Sequence, residues 1–126
     1  MALTGIHSVS VYVSDQDRAL DFYVNKLGFE KREDAPFGLD TDLRWIEVAP
    51  PGSQTAIILV KGYADWSEEM VGRFSGIIYT VQDIEGTFQQ LKENGVDITE
   101  EPNRQPWGMQ GQFKDQDGNT FVVVGE

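Results

Sequence analysis

Few side chains in this sequence could carry acid–base or covalent chemistry: one histidine, His7, no cysteine, and 21 carboxylates against 10 basic residues. The lack of cysteine excludes disulfides, thiolate nucleophiles and Cys-based zinc sites. No nucleophile elbow and no phosphate-cradling glycine loop is present, so a His-based general acid or base would have to be His7. Its bland role is an ordinary histidine at the start of a strand. Among the carboxylates, Glu47 shares one strand face with Trp45, and burial there would raise its pKa toward that of a general base; its bland role is a solvated strand residue. Trp107 sits in a Pro-Trp-Gly segment. An indole at a groove mouth stacks on planar compounds or attracts a cation, worth about 0.5–2 kcal/mol; otherwise it packs the turn. Trp66 is read as a packing or subunit-contact residue.

The elements that must position these residues repeat. Residues 7–13 alternate His7, Val9, Val11 and Val13 with Ser8, Ser10 and Tyr12, the period of a strand with one apolar face. Asp15, or Ser14 before it, caps a helix whose dipole Asp17 complements. Ala19, Leu20, Tyr23 and Leu27 fall at helical spacing, with Phe22 widening the stripe, and Gly28 suits a left-handed stop. The same grammar returns 68 residues later, with Val81 on Val13 and Asp83 on Asp15.

Between the copies, KREDAPFGLDTD reads as a loop or frayed edge because of Pro36 and Gly38. LRWIEV, the turn APPGS and QTAIILV form a hairpin. Residues 61–74 connect the modules, with a short helix from Ser67. The second module runs from a strand at 76–81 to a helix carrying Ile84, Phe88 and Leu91 and ending at Gly95. Strands follow near 97–100, 109–115 and 119–124, the last two joined by the tight turn from Asp115 to Gly118. The expectation is one α+β domain over 1–126, with module one 1–62, connector 63–74 and module two 75–126.

Helices on one side leave the other, concave side of each module bare, and two such faces side by side would enclose a pocket. Module one should present Ser8, Ser10 and Tyr12 there, with Ala56, Ile58 and Val60. Module two adds Gly76, Ile78 and Thr80, with Thr120, Val122 and Val124. Such a lining, apolar with a few hydroxyls, suits a neutral or flat aromatic ligand held by shape. Whether Trp45 and Glu47 join it depends on the register of the APPGS hairpin.

Composition narrows the partners. The net charge of −11 repels nucleic-acid phosphates and anionic lipid and favours cationic or neutral partners, although acidity also serves solubility. No apolar run approaches the roughly 20 residues needed to span a bilayer, and no secretion signal opens the chain, so a cytoplasmic, soluble protein is expected, with no membrane and no nucleic-acid partner.

Three stretches, VSDQDRALDFYVNKLGFE, YTVQDIEGTFQQLKENGV and QPWGMQGQFKDQDGNTFVVV, together resemble the vicinal oxygen chelate superfamily, which includes glyoxalase I, the bleomycin-resistance proteins and extradiol dioxygenases. The resemblance implies paired βαβββ modules forming a U-shaped sheet around a cavity, commonly in a homodimer, with a divalent metal held by one residue from each of four strands. Those four positions fall on Ser8, Ile58, Gly76 and Val122, which offer one hydroxyl and no imidazole or carboxylate. The implied protein has no cofactor and binds a hydrophobic or cationic aromatic compound, as resistance members do by sequestration. The alternative is a lyase, isomerase or dioxygenase with an unconventional site for Zn, Ni, Mn or Fe, in which a bulge turns His7 inward beside Glu47. An accessory domain that binds another protein is the third reading.

Overall fold

The computed structural model describes residues 2–126, in two compact units, the first ending at Val71 and the second Gly72–Glu126. Each unit is a strand, a helix and three strands, so the architecture is α+β with the βαβββ unit used twice.

In the first unit, β1 (Ser8–Tyr12) runs parallel to β4 (Ala56–Val60), β4 pairs antiparallel with β3 (Arg44–Ala49), and β3 with β2 (Glu30–Pro36). Helix α1 (Gln16–Asp21) opens at Asp15, whose carboxylate accepts from the Arg18 amide at 3.0 Å, the capping role its position predicts. The next turn, Phe22–Lys26, widens to a π-helix, with the Leu27 amide bonded to the Phe22 carbonyl at 3.1 Å. The wider turn lets two consecutive side chains, Phe22 and Tyr23, both be buried, and Gly28 then ends the helix at φ +76°. The core joins Ala19, Phe22 and Tyr23 to Val11, Ile46, Val48, Ile57 and Leu59.

One polar side chain is built into that core. The β3–β4 ladder pairs Glu47 with Ile58 and Val48 with Ile57. Beyond those pairs the buried Gln16 amide bonds both strands, donating to the Arg44 carbonyl at 2.7 Å and the Leu59 carbonyl at 2.8 Å. It satisfies two carbonyls at the end of the ladder.

The first half of the segment expected as a loop or frayed edge is instead the edge strand β2, bulged between Lys31 and Glu33, while its second half, from Phe37 to Asp42, is the expected loop. The polarity of β2 concealed it, since an edge strand with little buried surface lacks apolar alternation. It is held by charge: Arg44 grips Asp34 with two bonds of 3.1 and 2.9 Å and reaches Asp17 of α1 at 2.7 Å. Pro36 closes the strand where a lost amide matters least.

The second unit repeats the order: β5 (Phe74–Val81), β8 (Thr120–Gly125), β7 (Gly108–Lys114) and β6 (Asp97–Gln105). Helix α2 (Ile84–Glu93) is capped by Asp83, and buries Ile84, Phe88 and Leu91. Tyr79, Phe113 and Phe121 stack beneath it with centroids 5.4–6.1 Å apart. At the β7–β8 turn, Asp115 accepts from the Asp117 and Asn119 amides and the Asn119 side chain, whose oxygen in turn accepts from the Gly72 amide at 2.8 Å. Strand β6 is longer than the four residues expected, and Ser67 opens a single 3-10 turn, Glu68–Met70.

Two consequences can be measured. Gln16→Leu leaves both carbonyls without their donor and should cost about 1–3 kcal/mol in urea unfolding. The hydrogen bonds from Arg44, ahead of its charge, hold the Asp34 carboxyl below its ordinary 3.8. A depressed carboxyl contributes stability above its unfolded pKa that is lost as pH falls through the folded one. The stability gap between the unaltered protein and Arg44→Gln should therefore be full at neutral pH and shrink below about pH 4.

Candidate functional site

Register decides which side chains leave the core. Arg44, Ile46 and Val48 share one face of β3, and Arg44 reaches Asp17, so that face is the α1 side. Trp45 and Glu47 point the other way. One row then crosses the whole sheet: Ser10 beside Ile58, Ile58 beside Glu47, Glu47 beside Glu33. Trp45 and Glu47 therefore lie on the face that carries Ser8, Ser10 and Tyr12.

On that face three rings gather. Trp45 stacks on Tyr63 at 6.2 Å and 28°, and Phe37 meets Tyr63 edge-on at 4.6 Å and Trp45 at 6.4 Å. The Trp45 indole donates to a Glu47 oxygen at 2.7 Å, which fixes ring and carboxylate together. Phe37 is 51% exposed. The Tyr63 hydroxyl is buried with no hydrogen-bond partner among the described residues, and burial pushes its pKa up. Tyr63 is flanked by two residues in the left-handed region, Gly62 at φ +80° and Ala64 at φ +54°. For a non-glycine residue that conformation is uncommon and is held by its surroundings.

The second unit obeys the same rule. A Cβ at Gly111 would meet the Phe88 ring of α2 at 2.5 Å, so Gly111 and its parity face the helix. The opposite face carries the rows Ile78, Val122, Gln112, Glu100 and Thr80, Val124, Gln110, Asn103. Trp107 stands at the reversal between β6 and β7, 65% exposed, its indole donating to Gln110 at 3.0 Å, and the Gln110 amide donating to Glu100 at 2.9 Å. Its ring is thus mostly in solvent, and its N–H is tied to the same hairpin. Trp66 does pack: it is half-buried, its N–H on the Val13 carbonyl at 2.9 Å.

The remaining sequence candidates divide by exposure. Ser10 is exposed and Ile78 is 57% exposed, Ser8 and Tyr12 are half-buried, and Ile58 and Val122 are buried at 2% and 7%. Gly76 is exposed at φ +74°, in the irregular stretch where β5 pairing jumps from Phe74 to Ile78. Gln110, Glu100, Phe37 and Tyr63 were not singled out from sequence. The signal for Phe37 was an aromatic ring inside an otherwise polar segment; the rest carried none, because glutamine and glutamate on strands are ordinarily solvated.

A divalent metal does not fit the four positions the resemblance implies. Ser8, Ile58, Gly76 and Val122 offer a single hydroxyl, whereas such an ion needs several nitrogen or oxygen donors at about 2.0–2.5 Å. β1 keeps unbroken register from Ser8 to Tyr12, and His7, just before it, is exposed. Glu47 is bonded to Trp45. Among the described residues no group of three or more histidines or carboxylates is placed to hold a metal, and no helix is long and apolar enough to cross a membrane.

A cleft of about 350 Å³ lies by the start of α1, but its Arg44 is engaged by Asp17 and Asp34.

Comparison with known proteins gives the fold and the family. The chain is 40% identical over 119 residues to the uncharacterized protein YetH of Bacillus subtilis (strain 168), covering 94% of this chain and 95% of that one. TnmS3, an antibiotic binding protein from Streptomyces sp. CB03234, superposes with a TM-score of 0.83 at 38% identity, over 99% of this chain and 98% of its own. A superfamily member from Sphaerobacter thermophilus DSM 20745 gives 0.82 at 41% identity, over 98% of both chains. The model for the Glyoxalase/Bleomycin resistance protein/Dioxygenase superfamily matches residues 5–123, and this chain belongs to that superfamily.

Proposed function

We propose that this protein binds a flat hydrophobic or cationic aromatic compound without a metal, and acts by sequestering it. The observation that carries this reading is the placement of Trp45, Tyr63 and Phe37 with Glu47 on the face of the first sheet turned away from α1. Three rings supply surface for a planar molecule, and a carboxylate at their side supplies charge for a cation. The second sheet offers Trp107 with Glu100 on the corresponding side. The likeness to an antibiotic binding protein at 38% identity supports a small-molecule ligand, and the net charge of −11 favours cationic compounds. The lack of donor side chains at Ser8, Ile58, Gly76 and Val122 supports a metal-free role. In this reading the protein works in the cytoplasm as a homodimer.

Titration with cationic aromatic antibiotics should change tryptophan fluorescence saturably, and Trp45→Ala should weaken the affinity about tenfold or more, as loss of an aromatic anchor does. Absence of a saturable change with every compound, in folded protein, would point to another ligand class. Metal analysis of purified protein should find no stoichiometric Zn, Ni, Mn or Fe; a full complement lost on His7→Ala would overturn the metal-free part. Sedimentation should give twice the chain mass of 14.1 kDa.

Tyr63 separates stability from binding. Because its hydroxyl has no partner, Tyr63→Phe should leave the urea midpoint unchanged or raise stability by up to about 1 kcal/mol.

A further inference from the structure

Trp107 combines two properties that do not ordinarily go together. Its ring is 65% exposed at a hairpin tip, yet its N–H is held by Gln110 at 3.0 Å, and Gln110 is held by Glu100 at 2.9 Å. An exposed side chain at such a tip samples several rotamers, and confining it costs entropy that no core packing here returns. The direction of the relay is determined: an indole only donates and a carboxylate only accepts, so the glutamine must turn its oxygen to Trp107 and its amide to Glu100. Glu100 and Gln110 are not direct cross-strand partners, since Glu100 faces Gln112 and Gln110 faces Asn103. The bond runs diagonally across an irregular stretch of the β6–β7 ladder. Asn103 steadies the same place, donating to the Gln110 carbonyl at 3.1 Å.

With its N–H engaged, the Trp107 indole has only its ring faces to offer a ligand. The second Glu100 oxygen has no protein partner among the described residues and leaves negative charge at the far end of the relay, two hydrogen bonds from the indole. The first unit has the same pairing in direct form, Trp45 on Glu47 at 2.7 Å. Neither indole has a donor left for an acceptor group on a ligand.

We propose that Gln110 and Glu100 are positioning residues that hold Trp107 as a stacking platform, and that the platform selects flat, positively charged ring systems. This rests on the ligand-binding reading above. Because ring orientation is settled before the ligand arrives, the ligand does not bear the ordering cost of a mobile side chain.

The test uses two tricyclic dyes of similar shape, proflavine, which is cationic, and acridone, which is uncharged, with indole nitrogen relaxation as a readout independent of binding. Gln110→Leu should lower the Trp107 indole order parameter from roughly 0.85 to below about 0.6. It should also weaken both dyes on the order of threefold to tenfold. The Trp66 indole, bonded to Val13, should not change and serves as the internal reference. Glu100→Gln keeps an acceptor for Gln110 but removes the charge, so it should weaken proflavine and spare acridone. Equal binding by Gln110→Leu and the unaltered protein, an indole that stays ordered without Gln110, or equal losses of both dyes in Glu100→Gln would each overturn the inference and leave the binding reading standing. No saturable binding of either dye by the unaltered protein would remove that reading and the inference together.

Discussion

Burial of one side of each sheet against its helix is the constraint from which the candidate site follows. Strand side chains alternate, so sending Ile46 and Val48 to the α1 side forces Trp45 and Glu47 to the other, and sending Gly111 against Phe88 forces Gln110 and Gln112 out. A slip of one residue in either hairpin would exchange the two sets. Gln16 and Arg44 sit where such a slip would begin: one amide bonds β3 and β4 at the end of their ladder, and one guanidinium ties β2, β3 and α1.

The two faces so exposed are chemically alike without being copies. Each pairs an indole with a carboxylate, directly in Trp45–Glu47 and through an amide in Trp107–Gln110–Glu100. In both, the N–H is engaged by the protein, so the ring faces are what each indole would offer a ligand under the proposed function. This suits recognition by shape and charge more than by a pattern of ligand hydrogen bonds.

The cluster around Trp45 also carries a cost. An unpartnered phenol and a left-handed alanine lie next to one another at Tyr63 and Ala64. Each is unfavourable by itself, and strained residues of this kind concentrate where a protein meets its ligand. Their position against the Trp45 and Phe37 rings on the outward face of the first sheet follows that pattern.

The α+β class, the doubling of the βαβββ unit, both helix caps and the stop at Gly28 were legible in the sequence, because each is set by neighbouring residues: a periodicity, an Asp before a helix, a glycine where φ must be positive. The edge strand β2 was not legible, because its polar residues show no apolar alternation and its ladder with β3 forms only once the chain reverses through residues 37–43. Nor were the face of Trp45 and Glu47, the arrival of Tyr63 against Trp45, or the relay from Glu100 to Trp107. Each of these depends on register between strands, which the amino-acid order constrains only through the burial of distant side chains, and that burial exists only in the folded molecule.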